Sequence, residues 1–474
     1  MSSAIVVGSG PNGLAAAVRL ARAGLDVTVL EAADTIGGGT RSSEMIMPGL
    51  LHDHCSAFHP LSAASPYLSR LDLAAHGLTW RQPEIDCVHP LDDGSAGALF
   101  HSIDRTVEAL GEDGARWRRI FEPLADHFED LLADATQPVL RVPRYPLQMA
   151  RFGAAAALPA TALARAWKSD EAKALWCGVA AHAFSRLDRP MTSAVGMMLL
   201  VAAHAQGWVV AEGGSQTIAN ALAADLQRHG GKIETGRRVT SADDLPPSDV
   251  LLLDVPPSIA TDILGDRLPP RVARSYRRFR HGPAAFKVDF AIDGGVPWTA
   301  VAATRAGTVH LGGHADEVVA CEAAVQRGDM PERPFVLIGQ QYLADPSRSV
   351  GDIHPVWTYA HVPHGYTGDA TAAIIAQIER FAPEFRERIV GTAVRSTTEM
   401  SVRNSNYVGG DIIGGASSPT QLLFRPRFAL DPYATGIPGT YLCSASTPPG
   451  AGAHGMCGAN AAARALAELG VARA

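Results

Sequence analysis

The 474-residue chain predicts an α/β fold, with a doubly wound parallel-sheet domain interleaved with an α+β second domain. Three observations predict it. A strand, glycine turn, helix and strand open the chain. A second glycine turn, with its own helix and strands, stands near the middle. A strand, glycine loop and helix return at the end. Composition agrees, since 47% hydrophobic and 19% charged residues supply a large core. The formal net charge of -7 gives no basic footprint and argues against nucleic acid as a partner. Cys55, Cys87, Cys177, Cys321, Cys443 and Cys457 are scattered without a C-x-x-C pair, as in a reduced, cytoplasmic protein.

The opening unit is "AIVV", then helix-permissive residues from Leu14 to Ala23, then Gly24 where a helix-ending glycine belongs, then alternating "DVTVLE". Gly8, Gly10 and Gly13 spell G-x-G-x-x-G between strand and helix, with Pro11 and Asn12 inside the turn. Gly8 permits the tight turn, Gly10 lets backbone approach a pyrophosphate, and Gly13 lets helix and strand pack closely; this is the Rossmann pattern. The helix N-terminus then offers N–H groups and a positive dipole end to phosphate. Glu31 ends the second strand, followed by Ala32, and a carboxylate there accepts both ribose hydroxyls while repelling a 2′-phosphate.

From about Leu71 to Ala205 the pattern reads as mostly helical. "EGGSQTIANAL" gives a glycine turn and a helix from Ser215 to His229, with a strand from Ile233 to Val239. "DVLLLDVPP" is a buried strand, several strand-like runs lie between Phe286 and His361, and residues 370–385 read as helix. The tail is strand "GTYLCSAS", loop "TPPGAGAHG" and helix "MCGANAAARALAELG". Gly450 to Gly455 repeats G-x-G-x-x-G, but no second strand or acid follows. It is read as a helix start that presents the N–H groups of Gly455 and Met456, with Asn460 one turn on. The domains expected are 1–70, 206–285 and 425–474 for the nucleotide, and 71–205 with 286–424 for the substrate. No signal peptide precedes the first strand. "FGAAAALPATALA" is shorter than the about 20 residues that span a bilayer. It reads as a core helix pair with a basic edge, or as a helix lying on lipid, which leaves peripheral membrane contact open.

Just beyond Glu31 comes "IGGGTRSSE": Gly37, Gly38, Gly39, Thr40 and Arg41, a second close approach with a forked donor that nicotinamide domains do not need. With it the chain resembles the flavin-containing amine oxidase and phytoene desaturase superfamily, whose members carry GG-x-x-R-[S/T] here. "EGGSQTIANAL", "GRRV" and the tail resemble further elements of it. "HDHCSAFHP", "FKVDFAIDGGVPW", "HLGG" and "PGAGAHGMCGANAA" resemble the phytoene-dehydrogenase-related oxidoreductases and carotenoid isomerases within it. The resemblance implies a glutathione-reductase-like domain holding FAD, with the Val239 backbone at the adenine. It also implies hydride transfer from a small hydrophobic, polyene- or lipid-like substrate to flavin N5. Desaturation and double-bond isomerisation both stay open, as do an amine or amino-acid oxidase and a non-enzymatic flavoprotein scaffold or lipid carrier. Many relatives carry arginine where Gly39 stands, so Arg41 is expected to bear that charge alone. Lys287 is a candidate for holding a water beside the flavin, His454 for orienting substrate or tuning the ring, and His59 and Asp53 for facing ring or substrate. Tyr407, Tyr359 and Trp357 are candidates for walling the substrate cavity. No metal is expected from His52, His54, Cys55 and His59, whose spacing fits no zinc pattern. A homodimer stays open.

Overall fold

The computed structural model describes residues 2–471. β1 (Ser3–Val7), α1 (Pro11–Arg22) and β2 (Asp26–Leu30) form the opening unit. Pro11 takes the first helical position, where its missing N–H would have had no partner. Gly24, at φ +87°, ends the helix by turning left-handed.

The expected helical stretch begins instead with strands. β3 (Ile85–Pro90) and β4 (Ala96–Leu99) precede the helices. Every residue of β3 is buried, so "IDCVHP" shows none of the alternation by which a half-exposed strand is recognised. Helices then follow, among them α2 (Pro146–Ala156), α3 (Asp170–Ala180), α4 (Ser193–Gln206) and α5 (Gln216–Arg228). α2 buries Phe152 and Ala156 while Arg151 stays exposed. Among the described residues no helix is long and apolar enough to cross a membrane.

β5 (Lys232–Glu234) and β6 (Val250–Leu253) return to the first sheet. β5 is shorter than expected. The chain leaves the sheet at Glu234, turns at Gly236 (φ +68°), and carries Val239 in a loop. That loop is pinned to the end of β2, with Gly236 N–H donating to Ala33 O and Arg237 N–H to Glu31 O. Next come β7 (Ala284–Asp293), β8 (Ala306–Leu311), β9 (Val336–Gly339), β10 (Ile353–Val362) and β11 (Ile389–Arg395). β12 (Thr440–Leu442) and α6 (Met456–Glu468) end the fold.

The first sheet is wholly parallel, in the order β12-β6-β1-β2-β5. Its inner strands β1 and β6 and the edge strand β12 are almost wholly buried, as parallel strands between helix layers require, while the other edge, β5, is largely exposed. α1 lies on one face between α5 and α6. α6 crosses α1 so closely that a Cβ on Gly458 would fall 1.7 Å from the Asn12 carbonyl oxygen. On the other face Ile5, Val7, Leu30, Leu253 and Leu442 pack under helices Pro257–Leu264 and Pro270–Arg277. The second sheet is mixed, in the order β11-β7-β10-β9-β8-β3-β4, with only β8 and β3 parallel.

A buried ionic knot ties three distant stretches together. Arg348, 1% exposed, donates from Nη1 to Asp53 (2.6 Å), from Nε to Asp345 (3.0 Å) and from Nη2 to the Ala211 carbonyl (2.7 Å). Asp53 also accepts from the Ser42 hydroxyl at 2.6 Å and the Ser215 N–H at 2.8 Å. Asp53, expected to face ring or substrate, is turned into this knot instead and is fully buried.

Candidate functional site

The carboxyl ends of β1, β2 and β6 open into a cavity of about 620 Å³ that runs on to the second sheet. Gly8, Gly10, Pro11, Asn12, Glu31, Ala32, Gly38, Gly39, Thr40, Arg41 and Val239 all line it. The two glycine turns touch: Gly37 N–H donates to Ser9 O at 3.0 Å, and a Cβ on Gly38 (φ +53°) would stand 3.0 Å from Gly10 Cα. Gly13 stays outside the lining and works by packing, since a Cβ there would fall 2.0 Å from Gly8 O. The backbone is therefore bare where a diphosphate would approach, as the fingerprint requires.

Glu31 follows β2 at the end of the cavity where the fingerprint places a ribose. Its Oε2 accepts from Ser9 N–H (2.9 Å) and Ser9 Oγ (2.5 Å), and its Oε1 from Ala33 N–H (2.8 Å) and Arg41 (3.3 Å). Among the described residues, Asn12 Oδ1 is buried in the same wall with no hydrogen-bond partner. A glycine cradle, a ribose-end carboxylate and an unanswered polar atom together fit a dinucleotide.

Arg41 departs from its expected part. Its Nε and Nη2 donate to Thr35 O and its Nη1 to Arg403 O, so the guanidinium braces the turn while lining the cavity. It does not stand alone: Arg237, Arg238, Arg403 and Arg425 line the cavity too. Gly39 also has a reason. A Cβ there would fall 2.2 Å from the Tyr407 hydroxyl, so a tyrosine from a distant loop fills the space that a side chain at this position would need.

The tail reaches the cavity through Gly452, Ala453 and His454 rather than through the start of α6. Gly455 packs against Ala15 of α1, and the Met456 N–H is given to His454 Nδ1 at 3.1 Å. Asn460 is turned away, donating to Thr136 O and accepting from Gln137. These three residues therefore seat the last helix and do not line the cavity, because α6 must lie flat on α1.

Both histidine candidates line the cavity, but their ring nitrogens are engaged. His454 caps α6 through Nδ1 and lies 3.2 Å from Ala451 O through Nε2. His59 bonds Ser215 Oγ at 2.8 Å through Nε2 and Ser62 Oγ at 3.5 Å through Nδ1. Burial pushes each down to about 4, so both rings are neutral near pH 7. His52 and His54 are likewise tied, to Phe290 O and Ser43 Oγ.

Lys287 does not face solvent. It is 1% exposed on β7, ion-paired with Asp289 two residues on, with its Nζ 5.1 Å from the Trp357 ring centroid. Burial lowers its ammonium to about 8 against the pull of Asp289. It does not line the cavity although it lies opposite Tyr359 of the adjacent β10; Tyr359 and Trp357 form the wall together with Phe152, Phe184, Met198 and Leu199. Tyr407 lines the nucleotide end. Among the described residues the lining holds two carboxylates, Glu31 and Asp254, and both stand at the nucleotide end. His182, beside Phe184, is held neutral by burial, at about 4.

Comparison with known proteins agrees with this architecture. The NAD(P)-binding Rossmann-like domain family matches residues 6–71. The chain is 23% identical to pyridine nucleotide-disulfide oxidoreductase domain-containing protein 2 of Rattus norvegicus, over 97% of this chain and 92% of that protein. It is 28% identical to the hydroxyneurosporene desaturase of Cereibacter sphaeroides, over 55% of this chain and 58% of the desaturase. Its fold matches a putrescine oxidase structure at a TM-score of 0.61 and 19% identity, over 98% of this chain and 99% of that one. The resemblance to the amine oxidase and phytoene desaturase superfamily is borne out. So is an α/β fold in which a parallel Rossmann sheet is joined to a mixed second sheet. The chain carries a dinucleotide-binding Rossmann domain.

Proposed function

We propose that the chain is an FAD-dependent oxidoreductase acting on an uncharged, hydrophobic substrate of polyene or lipid type. The observation that carries this reading is the change of polarity along the cavity. Its nucleotide end is cradled by glycines and closed by Glu31 and several arginines, while the far end is walled by Phe152, Phe184, Met198, Leu199, Trp357 and Tyr359. A cationic substrate would need a carboxylate near the reacting atoms, and the far wall has none. The flavin, when bound, supplies the two-electron chemistry. The protein's part is to exclude water with the apolar wall, keep the imidazoles of His59, His182 and His454 neutral, and hold the substrate flat against Tyr359 and Phe184. The 28% identity to a desaturase favours dehydrogenation of a carbon–carbon bond, and redox-neutral isomerisation uses the same wall.

An amine oxidase is the second reading, favoured by the aromatic residues Trp357 and Tyr359 and by the fold match to putrescine oxidase. Anaerobic mixing separates the two. The flavin-loaded protein is expected to lose its visible band on adding a carotenoid-like polyene in detergent, and to keep it with alkyl mono- or diamines. Bleaching by an amine and not by any polyene reverses the assignment. FAD that nothing reduces marks a carrier or scaffold.

A further inference from the structure

Asp254 follows β6 on the floor of the first glycine turn, and the reading above gives it no part. Its Oδ2 accepts the Gly13 N–H at 2.9 Å. Cβ atoms built on Gly10 and Gly13 would fall 2.9 and 3.1 Å from the same oxygen, and one on Gly8 would fall 3.0 Å from the Asp254 carbonyl. All three fingerprint glycines therefore rest on this one residue, which is 6% exposed and lines the cavity beside Gly8 and Gly10. The helix-start donors are partly spent: Ser9 N–H goes to Glu31, Gly13 N–H goes to Asp254, and Pro11 has none. A diphosphate laid on the turn thus meets a carboxyl where the fingerprint alone promises an N–H.

The groups around Asp254 leave its charge poorly answered. Glu31, at the end of β2, opposes its ionisation. Cys443 beyond β12 and Cys457 on α6 face it as thiols that burial keeps protonated. Asn406, from the loop after residue 404, donates to the Asp254 carbonyl at 2.9 Å and not to its carboxyl. Arg41 and Arg403 share the cavity, but Arg41 is committed to Thr35, Glu31 and the Arg403 carbonyl. Burial is the largest influence and raises the carboxyl to about 7, against the pull of the Gly13 N–H.

We propose that Asp254 is an affinity-determining residue of the dinucleotide site, and that it receives the diphosphate as the neutral acid. This rests on the dinucleotide reading of the cavity, and on the flavin only for the choice of probe. The sign follows from linkage. Below its ionisation the acid is neutral and the anion binds. Above it, each pH unit removes tenfold of the competent form, and affinity falls about tenfold per unit.

The test is titration of the apoprotein with FAD, followed by flavin fluorescence quenching, from pH 6 to 9. ADP-ribose, whose diphosphate does not titrate in this range, serves as a second probe by competition or calorimetry. The wild-type Kd is expected to rise roughly tenfold per pH unit above about 7 for both probes. Asp254→Asn is expected to flatten the profile and bind at pH 8.5 at least as tightly as wild type at pH 6. Asp254→Ser, which lacks the carboxylate, is expected to flatten it as well. A flat wild-type profile, or an unchanged slope in both variants, overturns the proposal. If FAD fails to bind at any pH while ADP-ribose shows the slope and the variants lose it, the flavin reading falls and the role of Asp254 stands.

Discussion

Arg348→Met is expected to destabilise the fold by about 3–5 kcal/mol, the usual result of stranding buried charge. Arg348 lies between Asp53 and Asp345, all three at most 2% exposed, and its removal leaves two buried carboxylates facing each other. The knot joins the strand at His52–Asp53, the turn before α5 and the loop after β9, so the loss is expected to loosen all three stretches. Urea titration read by tryptophan fluorescence measures it. The triple variant Arg348→Met, Asp53→Asn, Asp345→Asn is expected to recover much of the loss, because amides tolerate burial without a counter-ion. Equal stability of Arg348→Met and wild type would remove the knot from the account.

Gly13→Ala is expected to weaken dinucleotide binding while leaving the chain folded. The added Cβ would lie 2.0 Å from Gly8 O, which is backbone and cannot swing aside. The turn must open to relieve the overlap. An opened turn is tolerable in the free protein but is the wrong shape for the diphosphate. Overpacking of this kind costs about 1–3 kcal/mol, or about 5- to 150-fold in Kd. Gly24→Ala is the contrast. Nothing stands within 4 Å of a Cβ there, and the strain comes only from its φ of +87°, at the far end of α1. It is expected to lower stability modestly, with dinucleotide affinity unchanged.

What could be read before the structure was known is local in the chain. β1, α1, Gly24 and β2 follow from periodicity and glycine placement within thirty residues, and so do Gly8, Gly10, Gly13 and Glu31. The second glycine turn and Val239 were also legible, because the resemblance rests on short contiguous motifs. What could not be read is set by contacts across hundreds of residues. Asp254 meets Gly13 across 241 positions and Arg348 meets Asp53 across 295. Neither "LLLDVPP" nor "DPSRSV" carries a local sign of its partner. Tyr407 accounts for Gly39 in the same long-range way. The start of α6 differs from the sequence expectation for another physical reason. A glycine before a helix signals either an anion site or a close helix crossing, and Gly455 with Gly458 serves the crossing on α1. The strands β3 and β4 are hidden by burial, complete in β3 and short of it in β4 only at Ala96, which erases the period-two pattern.

The central claim is that three separated stretches of chain, around Gly10, Val239 and Gly452, enclose one flavin dinucleotide. Equilibrium dialysis of the unliganded protein against FAD at pH 6.5, with NAD in a parallel cell, tests it most directly. The account predicts one FAD per chain with quenched flavin fluorescence, weaker uptake by Gly13→Ala, and negligible NAD. A protein that retains NAD and refuses FAD, or that takes up neither, contradicts it.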